Sequence, residues 1–193
     1  MDGPTIAEGW DTTEISDSAI YRAVSLAWND KEGIHWDGRQ IVDCATKKRV
    51  EDSSLNSIMV TGTIERVHDI IGFWHELYRV CAHAAQVTVS GPYWSCVDSL
   101  ADPTRVRGLS EQMFVYLSAP SRVWMAKEVG EDGYALRLLD GLDFEPTRYV
   151  RITGQEWEAR SDEAKSWGLT HNNNVCRRLE VALQAYKPTR KLD

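Results

Sequence analysis

Hydrophobic positions along the chain change period more than once, and the longest regular run is helical. Ile64, Val67, Ile71, Trp74, Tyr78, Cys81 and Ala85 fall on one stripe, widened by Ile70 and Leu77. Glu65, Arg66, His68, Asp69, His75, Glu76, Arg79 and His83 fall on the opposite side. This predicts one long amphipathic helix over 63–85, capped by Thr63 and lying on a sheet. A second helix is predicted from a cap at Ser16 or Asp17, with Ile20, Ala23, Val24, Ala27 and Trp28 on its apolar face. Between these helices, Ile34-His35-Trp36 and Arg39-Gln40-Ile41-Val42 flank Asp37-Gly38, the signature of a tight hairpin. Ser57–Thr61 and Gln86–Ser90 read as strands, the second ended by Gly91-Pro92.

From Gln112 the period reads as two. Met113–Leu117, Arg122–Lys127, Tyr134–Leu139 and Arg148–Ile152 are predicted strands, separated by Ala119-Pro120-Ser121 and by Gly130-Glu131-Asp132-Gly133. Short links between successive strands imply an antiparallel meander over 112–153. After Thr153 two further helices are predicted, over about 155–167 and about 170–186, broken at Gly168 and stopped by Pro188. The expected fold class is therefore α+β: an antiparallel sheet packed against the long helix 63–85, with a C-terminal helical hairpin. The expected organisation is an α+β domain over 1–153, with the hairpin of 154–193 packed on it.

Composition narrows the function classes. The 193 residues carry 22 basic and 29 acidic side chains, a net charge of −7. That balance disfavours general affinity for nucleic acid or for an anionic membrane. Residues 1–18 hold acidic residues and no basic one. The start of the sequence has neither a basic region nor an apolar core, so no secretory signal is expected. No apolar run approaches membrane-spanning length. Cys44, Cys81, Cys96 and Cys176 form no C-x-x-C pair, so reduced and mostly buried thiols in a cytoplasmic protein are expected. Eight Trp is a high count, and large rings mark a core or a binding face.

Catalytic patterns are sparse. The sequence has no P-loop, no G-x-G-x-x-G and no G-x-S-x-G. His68 and His75 stand two helical turns apart, too far for one ion, so no metal site and no cofactor are expected. The strongest binding signal lies in the predicted meander. Phe114, Tyr116 and Trp124 alternate with aliphatic residues, and Arg122 and Arg137 share their strands. Together with Trp94 they suggest an aromatic-plus-arginine surface for a protein partner or small ligand. A second signal is Ala164-Lys165-Ser166-Trp167-Gly168-Leu169-Thr170 leading to Val175-Cys176-Arg177-Arg178, which resembles a helix-turn-helix motif. The resemblance implies that Asn172, Asn173, Asn174, Arg177 and Arg178, with His171, face a DNA major groove. A third is Cys96, in a loop after Tyr93-Trp94, as the thiol of a Cys/His enzyme site. The leading expectation is a non-enzymatic intracellular binding or regulatory protein. A DNA-binding regulator using 164–186 and an enzyme centred on Cys96 are the alternatives.

Overall fold

Leu55, Ile58 and Val60 are buried while Met59 between them faces out, so residues Leu55–Thr61 form a strand. The computed structural model describes residues 23–27, 33–129 and 133–190. Among these, seven strands make one mixed sheet: β1 (Ala23–Ala27), β2 (Ile34–Trp36), β3 (Ile41–Asp43), β4 (Leu55–Thr61), β5 (Cys81–Pro92), β6 (Phe144–Thr153) and β7 (Cys176–Ala185). Their spatial order is β3-β2-β1-β4-β5-β7-β6. β1 pairs parallel with β2 and with β4, and β4 pairs parallel with β5. β3, β7 and β6 pair antiparallel with their neighbours. The expected α+β sheet is thus corrected to a mixed sheet with a parallel centre.

The crossover between β4 and β5 explains the parallel pairing, because a parallel neighbour needs a long return path. That path contains α1 (Ile70–Val80), which buries Phe73, Trp74, Leu77 and Val80. The helix is shorter than the predicted 63–85. Asp69, not Thr63, caps it, accepting the Gly72 N–H at 2.8 Å. Thr63 instead donates its hydroxyl to the carbonyls of Leu26 and Thr61, at 3.2 and 3.1 Å, and so ties the ends of β1 and β4 together. After Val80 the backbone turns extended at Cys81 and enters β5 directly. Trp74 meets Phe73, Phe114 and Phe144 edge-on, with centroids 5.5, 6.0 and 6.1 Å apart, so the helix and both halves of the sheet share one core.

The Asp37-Gly38 hairpin is present, with β2 and β3 antiparallel and Gly38 at a φ of +102°. The expected meander is not. Helices stand in its place: α2 (Asp98–Ala101) is followed by α3 (Glu111–Val115), α4 (Ala119–Trp124) and α5 (Gly133–Leu138), with a wide helical turn over Met125–Val129. Ser118 accepts the Ser121 N–H at 3.4 Å, and Pro120 sits in the first turn of α4. A capping serine followed by an early proline starts a helix, which is why Ala119-Pro120-Ser121 does not join two strands. Only β6 survives of the four predicted strands.

The predicted C-terminal helical hairpin is also replaced. α6 (Gln155–Glu158) and α7 (Asp162–His171) fall where helix was expected, and Ser161 caps α7 through the Ala164 N–H at 3.2 Å. Residues Cys176–Ala185 are β7, inserted between β5 and β6. Leu179, Val181, Leu183 and Ala185 are buried in strict alternation, the period of a strand. Gly168 lies inside α7 and breaks nothing. A Cβ there would come within 2.5 Å of the Trp157 ring, so the glycine lets the two short helices meet. Residues 23–27 of the predicted N-terminal helix are strand β1, and the rest of that helix lies outside the described residues. Among the described residues no helix is long and apolar enough to cross a membrane.

Candidate functional site

β1, β2, β4 and β5 run in the same direction, so Ala27, Trp36, Thr61 and Pro92 end on one edge of the sheet. From β1 the chain pairs with β2 on one side, and β4 then takes the other side. Open sheets with parallel strands bind ligands outside the carboxyl ends of the strands, at such a reversal of order. A cleft of about 550 Å³ opens along this edge, beyond β4 and β5. That size suits a small molecule.

The turn after β4 builds the floor of the cleft. Gly62 has a φ of +64°, a conformation that costs a side-chain-bearing residue energy. It delivers Glu65 and Arg66 to the cleft wall. Glu65 is 2% exposed, and its backbone carbonyl accepts the Val106 N–H at 2.7 Å. Its carboxylate receives one long hydrogen bond, from Arg66 Nη1 to Oε1 at 3.4 Å, and Oε2 receives none from the described residues. Gly91, at the end of β5, passes close by. A Cβ there would stand 2.8 Å from Leu109 and 3.5 Å from Glu65 Oε2.

Arginines surround this carboxylate. Arg66 is fully engaged, donating to Gly62 O at 3.0 Å, Thr104 Oγ1 at 3.1 Å and Asp102 Oδ2 at 2.6 Å. The Thr104 hydroxyl and N–H, with Arg66, hold the Asp102 carboxyl below its usual range. Arg105 donates Nη1 to the Asp98 carbonyl, while its buried Nε has no hydrogen-bond partner. Arg177 approaches Asp98 Oδ2 at 3.5 Å, and Arg178 donates Nε to Ser90 Oγ at 2.8 Å. Four guanidinium groups and three carboxylates therefore line one cleft. Trp94, Val97, Leu100 and Val106, all exposed, lie on the segment that carries Asp98, Asp102 and Arg105.

A second polar group stands on the same edge, at the end of β2. Asp37 is exposed, and its Oδ1 accepts the N–H groups of Arg39 and Gln40, both at 2.8 Å. Burial would raise its pKa, but the Gln40 and Arg39 N–H groups prevail and hold it below the usual carboxylate range. The Gln40 side chain adds to this, and the two backbone N–H bonds both fall on Oδ1.

The residues singled out from the sequence are dispersed. Phe114 is wholly buried against Trp74. Tyr116 is half-buried on the turn after α3. Arg122 is 7% exposed, donating to the carbonyls of Tyr116 and Leu142 at 2.9 and 2.6 Å, so it ties loops together. Trp124 and Arg137 are exposed on α4 and α5. No sheet face brings these residues together, because their strands are helices. Trp94 alone borders the cleft segment.

The groove-reading set is likewise corrected. Asn172 closes α7, Asn173 is exposed, and Asn174, at a φ of +64°, accepts the Val97 N–H at 2.7 Å through its side chain. Arg177 and Arg178 are on strand β7, not on a recognition helix, and they line the cleft. All four cysteines are buried, and none is in a disulfide. Cys96 is 1% exposed and donates to Asp98 Oδ2 at 3.5 Å, with no histidine bonded to it. Burial pushes the thiols of Cys81 and Cys176 up to about 12 and about 11. His75 bonds the Leu138 carbonyl at 2.9 Å, and His83 accepts the Lys187 N–H at 3.1 Å. Glu65 and Asp37 were missed from the sequence. The available signal was Asp37 directly after the short strand Ile34–Trp36, and Glu65 four residues past the end of the strand Leu55–Thr61.

A scan of protein-family models and a search of curated proteins found no match. Solved structures do match. The YcgJ protein from Bacillus subtilis is 12% identical, with a TM-score of 0.44 over 79% of this chain and 69% of that one. A SAM-dependent methyltransferase from Archaeoglobus fulgidus is 11% identical, with a TM-score of 0.40 over 70% of this chain and 61% of that one. A SAM-dependent methyltransferase from Thermotoga maritima is 10% identical, with a TM-score of 0.42 over 79% and 62%. The chain thus spans less than two-thirds of the length of the last two. At these identities the likeness is one of fold. The expectation of a non-enzymatic, regulatory, protein-binding molecule gives way here, because the aromatic surface it rested on is not formed: Phe114 and Arg122 are buried, and the predicted strands that would align them are helices.

Proposed function

We propose that the chain is a group-transfer enzyme that binds S-adenosylmethionine at the carboxyl edge of its parallel strands and methylates a small acceptor held in the Glu65 cleft. One observation carries the reading: the ends of β1, β2, β4 and β5 share the edge at which the strand order reverses, at β1, and a cleft opens along that edge beside the ends of β4 and β5 and the start of β7. The activity named for the structures of similar fold decides which compound to test first.

The residues present fit that cofactor. A dinucleotide needs a glycine-rich cradle for its pyrophosphate, and this sequence has none. S-adenosylmethionine carries no phosphate and needs no such cradle. Asp37 is an exposed carboxylate at the end of β2, and ribose hydroxyls can donate to it. The segment after β1, residues 28–32, lies outside the described residues. When bound, the cofactor supplies an electrophilic methyl group. Glu65 Oε2 accepts the proton that the acceptor loses, in a setting where Glu65 is almost fully withdrawn from water. Arg66 and the Val106 N–H hold the Glu65 side chain and backbone in place. The partner in this reading is a small molecule, and four buried cysteines outside any disulfide fit a reducing, cytoplasmic setting.

Calorimetric titration of the chain with S-adenosylmethionine tests the reading. Saturable one-to-one binding is expected, weakened about tenfold or more by Asp37→Ala, the scale of hydrogen bonds to a charged group. A folded chain that gives no binding heat contradicts it.

A further inference from the structure

We infer that the cleft recognises an oxyanion, a carboxylate or a phosphate, through Arg105, Arg177 and Arg178. The inference rests on the reading above only in calling that ligand the acceptor. The four arginines of the cleft differ in how far their donors are engaged. Arg66 is a structural link, since all three of its nitrogens donate within the protein. The other three are not closed in this way. Arg105 carries a buried Nε with no hydrogen-bond partner, 4.0 Å from Glu65 Oε1 and 3.8 Å from Asp102 Oδ2. A buried donor without an acceptor is unstable unless something else supplies one. Arg178 is exposed and engages only Nε, with Ser90, whose hydroxyl in turn donates to Glu180 at 3.2 Å. Arg177 has a 3.5 Å contact with Asp98 and a 4.0 Å contact with the Cys96 sulfur.

A guanidinium presents five N–H donors in a planar fork that matches the oxygens of carboxylate and phosphate. Three such forks, each with donors not engaged within the protein, line a cleft of about 550 Å³ together with the carboxylates of Glu65, Asp98 and Asp102. Arg66 is paired with Asp102 and Arg177 with Asp98, so Arg178, whose guanidinium has no ion-pair partner among the described residues, supplies the charge that an anion meets in this cleft. Two backbone anchors hold the arginines apart. Tyr93 N–H donates to Arg177 O at 3.1 Å, and Pro92 pairs with Arg178 across β5 and β7. Arg105 lines the same cleft from the loop after α2, where Val106 N–H donates to Glu65 O. The donors therefore come from a strand and from a loop, each fixed by its own backbone.

The test is a calorimetric titration of the full chain at low ionic strength, with inorganic phosphate in one arm and succinate in the other. One-to-one binding of at least one anion is expected, weakened about tenfold or more by Arg178→Ala and by Arg105→Ala. Arg178 is exposed, so its variant stays folded even where Arg105→Ala does not. Phosphate alone binding assigns a phosphorylated ligand, succinate alone a carboxylate, and both the shared oxyanion chemistry. Binding of neither anion overturns the inference, and so does an equal loss in Arg148→Ala, on the far side of the sheet edge. The same variants are titrated with S-adenosylmethionine. Anion binding without cofactor binding sinks the methyl-transfer reading and leaves the anion site standing.

Discussion

Arg105 Nε stops 4.0 Å from Glu65 Oε1, too far for a hydrogen bond, although Glu65 is 2% exposed. The backbone next to this gap is tightly joined, with Val106 N–H on the Glu65 carbonyl at 2.7 Å. The protein thus fixes the two residues side by side without a hydrogen bond between their charged ends. Glu76 is the opposite case. It is 7% exposed and accepts Ile41 N–H at 3.0 Å, two nitrogens of Arg79 at 2.7 Å, and Arg49 at 3.3 Å. One buried glutamate is closed by the fold and the other is held open toward the cleft.

That contrast predicts a difference in stability. Glu76→Gln breaks a buried charge network and should cost about 3 kcal/mol. Glu65→Gln loses one long hydrogen bond and should cost about 1 kcal/mol. Urea denaturation of the two variants measures both. A loss at Glu65 equal to that at Glu76 would show that Glu65 is structural.

Acid should reveal the same network. Burial raises the Glu76 pKa, but Arg79, the Ile41 N–H and Arg49 outweigh it and hold the carboxyl at about 2, below its ordinary 4.5. A depressed carboxyl stabilises the fold above its unfolded pKa and stops doing so as pH falls toward the folded one. The contribution of Glu76 is therefore complete above about 4.5 and fades between there and about 2. Denaturation midpoints of the wild type and Glu76→Gln should differ at neutral pH and draw together in that window. A gap that does not narrow in acid contradicts the assignment.

Trp74 joins α1 to Phe114 and Phe144 and is 2% exposed. Trp74→Ala should cost about 3–5 kcal/mol and lower the melting temperature or unfold the chain. An unchanged melting curve would mean that the shared core is not as described.

Gly168→Ala places a methyl group 2.5 Å from the Trp157 ring. Alanine is the better helix former by about 1 kcal/mol, so an exposed glycine would gain from the change. Here the clash should prevail, and the variant should melt lower than wild type. A higher melting temperature would show that α6 and α7 do not pack through this glycine.

Parts of this molecule were legible in the sequence for local reasons. Asp37-Gly38 specifies its own turn, and the stripe around Trp74 and Leu77 has only one helical solution. Thr63 was misread because a hydroxyl before an apolar run looks like a cap, and only the distant carbonyl of Leu26 shows its actual role. Residues 179–185 carry a period of two, yet the preceding Trp167-Gly168 pattern drew them into a helix-turn-helix reading. The cleft was illegible for a topological reason. Glu65, Arg105 and Arg178 are far apart in sequence, and only the insertion of β7 beside β5 brings them to one edge.

The central claim is that the ligand site lies at the carboxyl ends of the parallel strands. Amide hydrogen exchange of the full chain, with and without S-adenosylmethionine, tests it most directly. The account predicts slowed exchange at residues 37–40 and 61–66, with α7 and the β6 edge unchanged. No slowing anywhere, or slowing confined to residues 124–137, would contradict it.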